Sequence, residues 1–411
     1  MPTAMGPQRY DESVKLAMQL VTATQSDFYD AFVSVSRGMF NTRSRIDHTR
    51  KRKIVSHIFS QKNVLDFEIN ARMALGKLIK QWDRLCDASA TDRIGSVEEG
   101  AWFGRAERVW FDCLPWYNYL AFDIIGDLAF GAPFGMLEAA RDIAPVALPL
   151  PGNEMKTIYI PAVQLLNMRG DFSASMGVLP PWVRPLMKYM PWYAQGGKAV
   201  RHLHGIAVAA VEKRLADPAA GERGDLLARL QNGKDEDGNP MGKQELIAEA
   251  LTQLIAGSDT TSKCVTSVVV SLCADLLLSA SCGITYYLAR HPDVQRKLQA
   301  ELDEALGLEE GVVSYESVKK LRYLDACIFE AQRVHSASGL GLPRIVPEGG
   351  LEVCGKFFKE GTVLSVPTYS IHRDEGVWGK DVDSFWPERW LQGNDVSAMQ
   401  KTFNTFSFGP R

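Results

Sequence analysis

Apolar positions in the first two-thirds of the chain recur with a helical period. Leu246, Ile247, Ala250, Leu251, Leu254 and Ile255 share one face of a helix. Val294, Leu298, Leu302 and Ala305 form a second stripe after His291-Pro292, with Asp293 near its start. A third helical run covers Val318 to Val334. The polar stretch NGKDEDGNP, Asn232 to Pro240, predicts a loop between helices. Its Asp235, Asp237 and Gly238 are spaced as in a calcium loop, but the twelfth-position glutamate is missing, so no calcium site is expected. After Ser336 the pattern changes to short β-type runs, Leu351 to Val353 and Thr362 to Val366, bounded by Gly349-Gly350 and Glu360-Gly361. The pattern predicts a mainly α fold with a small β part in the C-terminal third.

Two segments stand apart. Val178 to Trp192, VLPPWVRPLMKYMPW, reads either as a mobile or membrane-touching patch or as core packing between short helices. Val265 to Ala289 is mostly apolar around Asp275 and has the length of a membrane span.

Composition narrows the classes. With 46% hydrophobic and 23% charged residues, the chain is globular rather than disordered. A net charge of -3 argues against a nucleic-acid partner. The seven cysteines contain no C-x-x-C pair and are odd in number, which fits neither a zinc site nor a disulfide framework. A reducing compartment follows. Met1 to Tyr10 lacks an apolar core, so no signal peptide is read there.

Four motifs carry chemistry. LIAGSDTTS, Leu254 to Ser262, ends an amphipathic helix; Ala256 and Gly257 leave room beside the backbone, while Asp259, Thr260 and Thr261 add an acid and hydroxyls. Such a groove can seat a diatomic ligand and pass protons to it, and it also fits an ordinary capped helix end. Glu330 and Arg333, three apart, can pair on one helix face. Phe385 to Trp390, FWPERW, offers Arg389 to that pair. Phe406 to Arg411, FSFGPR, alone is a Gly-Pro turn.

In this order and spacing the four motifs resemble the cytochrome P450 superfamily. Asp27 to His57, Trp116 to Leu137 and LIAGSDTTS resemble fungal benzoate para-hydroxylases within it. The resemblance implies a cytochrome P450-like fold over residues 27–411, preceded by an atypical segment, 1–26. It implies haem b as cofactor, a NADPH-cytochrome reductase and O2 as partners, and para-hydroxylation of a small aromatic acid such as benzoate. Thr260 would hold oxygen and a water, and Asp259 would deliver protons. Ala256, Gly257 and Phe406 would contact the haem. His48 stands where the family has the tryptophan of W-x-x-x-R; Arg52 supplies its arginine, and Arg344 and Arg411 match other propionate-binding positions. Glu330, Arg333 and Arg389 would hold the fold around the haem.

The departures from the family are equally specific. No residue of the chain matches the axial ligand, and the metal-binding cysteine is expected just beyond Arg411. The fold is therefore expected to be truncated there, and the chain as given inactive. The family sits on the cytosolic face of the endoplasmic reticulum, but its membrane anchor is not matched here. Between TTS and SCGITYYLARHP, residues 263–280 (KCVTSVVVSLCADLLLSA) form an insertion of about five helical turns. We hypothesise a retained intron, because a packed core could hardly absorb that length; a transcript that always carries these codons would remove the idea. Two other readings remain open at this point: a non-catalytic fragment or pseudogene product, and a membrane-associated helical protein.

Overall fold

The computed structural model describes residues 23–407 apart from 35, 57, 90–101, 106–107, 150–154, 188, 217–224, 265–281, 308–310, 337, 354 and 393–395. The chain forms two compact units, Asp27–Lys263 and Met1–Ser26 with Cys264–Arg411. The strand β1, Thr24–Gln25, opens the described part.

The Asp27–Lys263 unit is built from helices α1 (Arg45–Ser56), α2 (Glu68–Ser89), α3 (Cys113–Phe130), α4 (Ala162–Val178), α5 (Pro191–Ala216), α6 (Leu226–Asn232) and α7 (Lys243–Cys264). Side-chain carboxylates start several of them. Asp112 accepts the amide of Leu114 at α3, and Asp225 that of Ala228 at α6. Asp142 accepts the amides of Val163 and Gln164 at the head of α4, both at 2.9 Å. Gly131 ends α3 in the left-handed conformation that glycine adopts without strain. On α7 the predicted stripe is inside: Leu246, Ile247, Ala250, Leu251 and Leu254 are buried.

This unit also contains two hairpins that the hydrophobic pattern did not announce. Strands β2 (Trp102–Arg105) and β3 (Arg108–Phe111) pair antiparallel, with Phe103 opposite Trp110 and their rings stacked at 6.3 Å. Strands β4 (Ala144–Pro149) and β5 (Met155–Ile160) form the second. Both strands of an isolated hairpin are edges, so Pro145 and Pro149 leave no central ladder broken. Confining β structure to the C-terminal third is therefore corrected.

The segment Val178 to Trp192 lies on the surface. Val178, Trp182, Leu186 and Tyr189 are exposed, Tyr189 at 87%. Arg184 tethers it, donating to the carbonyls of Leu179, Gly177 and Asp27 and to the Asp27 carboxylate. The core-packing reading is thereby set aside. In the 232–240 loop, Asp235 turns its carboxylate onto the amides of Asp237 and Asn239, which uses the acid to close the turn.

The second unit packs α8 (Cys282–Arg290), α9 (Pro292–Leu306) and α10 (Arg322–Val334) around Ile284, Leu288, Val294, Leu298, Leu302 and Ile328. Ala305 of the predicted stripe is exposed, and Leu306 packs inward instead. The run Val318 to Val334 is broken: a short helix ends at Val318 and α10 begins at Arg322. The break is capped from α9, where Glu301 accepts the amides of Tyr323 and Leu324. Strand β6 (Arg344–Ile345) pairs with β1; β7 (Leu351–Val353) and β8 (Lys356–Phe358) form a hairpin; β9 (Val363–Leu364) pairs with β6. The short helix α11 spans Val396–Thr402. The inserted stretch 263–280 lies outside the described residues except for Lys263 and Cys264 at the end of α7. Among the described residues no helix is long and apolar enough to cross a membrane, and no group of side chains could hold a metal ion.

Candidate active site

In the C-terminal unit the structure brings Glu330, Arg333 and Arg389 together in the interior. Glu330 and Arg333 are each 0% exposed. Arg333 grips Glu330 with both Nε (2.9 Å) and Nη2 (2.8 Å), because three residues apart on a helix is the spacing of neighbours. Arg389 Nε donates to the same carboxylate at 2.8 Å. The remaining guanidinium donors reach carbonyls. Arg333 bonds those of His372, Val382 and Ser384, and Arg389 those of Trp378, Asp381 and Ser384. The 381–390 segment is thus laced to α10.

The network continues into residues that sequence reasoning missed. His372 is fully buried, with its Nδ1 on the Arg333 carbonyl (3.1 Å) and its Nε2 accepting the Asn404 amide (2.9 Å). Burial holds its pKa down to about 4, so the imidazole is neutral with the proton on Nδ1. The ring stacks on Phe403 at 5.4 Å, which packs against Phe329 and Trp390. This fixes the loop that leads from α11 into the F-S-F-G-P-R motif. Phe406 is exposed and edge-on to Phe403, and Ser407 has φ +62°. Arg411 lies outside the described residues. Arg344 is buried in β6.

In the Asp27–Lys263 unit, α7 runs unbroken through Ala256, Gly257, Asp259 and Thr260; the side chains of the last two are outside the described set. Ser258 donates to the Leu254 carbonyl at 2.6 Å, a hydroxyl-to-backbone contact within the helix. Ala256 and Gly257 divide the work of being small. Ala256 lines a cavity. A Cβ on Gly257 would stand 2.7 Å from Ile125 Cδ1, so glycine here permits α3 to approach. The room expected at Gly257 is therefore filled by α3.

The cavity has a volume of about 270 Å³. Phe32, Phe40, Leu166, Ile247, Leu251 and Ile255 supply its apolar walls, and Ala248, Thr252 and Ala256 form a row along α7. Of the predicted propionate group, His48 is buried on α1 and Arg52 is exposed there. Beside them, Lys51 is buried and donates to the Arg37 carbonyl, with Glu245 at 3.5 Å and Glu249 at 4.0 Å. Burial raises the Glu249 carboxyl to about 7, against the pull of Lys51 and the Met39 amide. The basic helix face was legible in the sequence, but its acidic counterpart on α7, almost two hundred residues away, was not.

The sequence profile described as Cytochrome P450 matches residues 12–411, and the chain belongs to that family. It is 44% identical over 393 residues to the protein named Benzoate 4-monooxygenase bphA of Aspergillus niger, covering 94% of this chain and 70% of that one. It is 30% identical over 398 residues to Cytochrome P450 monooxygenase gsfF of Penicillium aethiopicum, covering 94% and 67%. By family the chain is a monooxygenase, and the family works with haem iron, O2 and a redox partner.

Ala256 presents only a methyl group to the cavity, which leaves room there for a flat group. Two of the described cysteine side chains, Cys327 and Cys86, do not suit the iron. Cys327 is fully buried in the helical core, with its thiol pushed far above the ordinary range by burial. Cys86 is also pushed up by burial, then by Asp83 and Asp87. A metal ligand must be a thiolate, so neither fills that position.

Proposed function

We propose that this protein is a haem b-dependent monooxygenase that hydroxylates a small aromatic acid, benzoate at the para position, with electrons from a NADPH-dependent reductase. The observation that carries the reading is the small apolar cavity against Ala256. At about 270 Å³ it is just below the ~300–1,000 Å³ of drug-sized sites, which suits a single ring. Haem, when bound, supplies the oxygen-activating chemistry through its iron. The protein's own part is to hold the ring among Phe32, Phe40 and Leu166 and to exclude water around it. Thr260 follows Ala256 by four residues on α7, so its hydroxyl would hold a water, and Asp259 beside it would pass a proton. Arg52 would pair with a carboxylate of the cofactor.

The test uses the protein expressed from its own locus with haem and reductase. Benzoate should perturb the haem absorbance, and turnover should yield 4-hydroxybenzoate. Absence of haem uptake, or product at another carbon only, would overturn the assignment. We also propose that the exposed Val178, Trp182, Leu186 and Tyr189 touch the cytosolic face of the endoplasmic reticulum membrane. Trp182→Ser with Leu186→Ser should release the protein from sedimenting phospholipid vesicles; unchanged sedimentation would remove that proposal.

A further inference from the structure

The cavity beside α7 contains a charge that no described acid balances. Arg169 of α4 is 5% exposed and lines the cavity. A guanidinium has five N–H donors. One is used: Nη2 donates to the Phe32 carbonyl at 3.1 Å. Its Nε is buried with no hydrogen-bond partner among the described residues. The comparably buried Arg214, Arg333 and Arg389 each meet a carboxylate, namely Asp225, Glu330 and Glu330. Arg169 has none within 4 Å among the described residues. Burial lowers its pKa to about 10, so it stays charged at neutral pH. A buried, uncompensated charge is costly to a fold, and its persistence calls for an anion.

Ser34 and His204 line the same cavity, and Ser34 Oγ and His204 Nε2 are buried without a partner among the described residues. Either can donate a hydrogen bond. Asn41 Oδ1 is there too, as an acceptor, while its Nδ2 holds the Phe32 carbonyl that Arg169 also holds. Apart from this polar group the walls are largely apolar. A ligand that fits both parts has one acidic end and an apolar body.

We propose that Arg169 is the substrate anchor: it binds the carboxylate of a small aromatic acid in this cavity, with Ser34 and His204 as neutral donors beside it. This rests on the reading that the cavity takes an aromatic acid. Arg169 sets specificity for the anion and orients the ring; it does no chemistry. A guanidinium fork suits a carboxylate better than a lone ammonium, because two parallel N–H donors match two oxygens.

Equilibrium dialysis with the full chain tests this, using benzoate and its neutral isostere benzamide. Losing one partner of a buried ion pair commonly costs at least about 30-fold in affinity. Arg169→Gln should therefore weaken benzoate by about that factor or more and leave benzamide within about threefold. Arg169→Lys should fall between the two and covers the case in which the glutamine variant does not fold. Arg169→Met should melt no lower than the wild type without ligand, because an unpaired charge is removed. A role limited to bracing the Phe32 carbonyl predicts a lower melting temperature and equal losses for both ligands. If Arg169→Gln binds benzoate as the wild type does, the anchor is overturned and the substrate reading survives. If the wild type binds neither ligand, the substrate reading fails and the anchor with it.

Discussion

Glu330 receives five hydrogen bonds: two from Arg333, one from Arg389, one from the Trp386 amide and one from the Trp390 indole. Four of the five are buried, so the carboxylate cannot be lost without leaving two buried guanidiniums unpaired. Glu330→Ala is expected to cost about 3–5 kcal/mol in denaturant unfolding. Asp383→Asn, which removes the exposed partner of Arg373, should cost about 0–1 kcal/mol. Equal effects would mean that Glu330 is not the centre of the network. The E-x-x-R pairing could be read from helical spacing alone. Its burial could not, since that depends on a segment 56 to 60 residues further on. His372 had no signal at all, because both of its partners are backbone groups that any residue could supply.

Among whole elements, α7 was legible because its apolar stripe is long and periodic, whereas the two N-terminal hairpins are short and carry no two-residue glycine turn. The break before α10 was hidden by apolar residues that continue across it; what starts the new helix is Glu301, which belongs to α9. Gly257 shows how a residue can be selected for a reason other than the one its motif suggests. Its missing side chain lets α7 meet Ile125 of α3, and a branched residue there must push the helices apart. Gly257→Val should destabilise by about 1–3 kcal/mol. Ile125→Val, which shortens the opposing side chain, should recover part of that loss when combined with it. Urea titration of the double-mutant cycle measures the coupling, and strict additivity would show that the two positions do not meet.

For the molecule as a whole, two buried titrating groups, one in each unit, oppose each other in mild acid. His372 has a folded pKa of about 4, below the ordinary imidazole value of about 6.5. The unfolded chain therefore binds the proton more readily, and stability is present above pH ~6.5 and lost as pH falls through ~4. Glu249 has a folded pKa of about 7, above the ordinary carboxylate value of about 4.3. Its contribution has the reverse sign: it is present below pH ~4.3 and lost as pH rises through ~7. Each shift corresponds to something on the order of 3 kcal/mol. His372 lies in the unit Cys264–Arg411 and Glu249 in the unit Asp27–Lys263, so acid should loosen the first while sparing the second. Hydrogen exchange at pH 5 and pH 7, corrected for intrinsic rates, should show protection falling selectively in α10 and the 368–407 region. His372→Gln keeps a neutral polar group and should erase the difference. Parallel loss of protection in both units would mean that charge elsewhere, and not these two groups, governs the acid response. The division into units, with its boundary at Lys263 where the inserted stretch begins, gives this prediction its spatial form. The hydrophobic pattern pointed to that place only through the anomalous length that follows it.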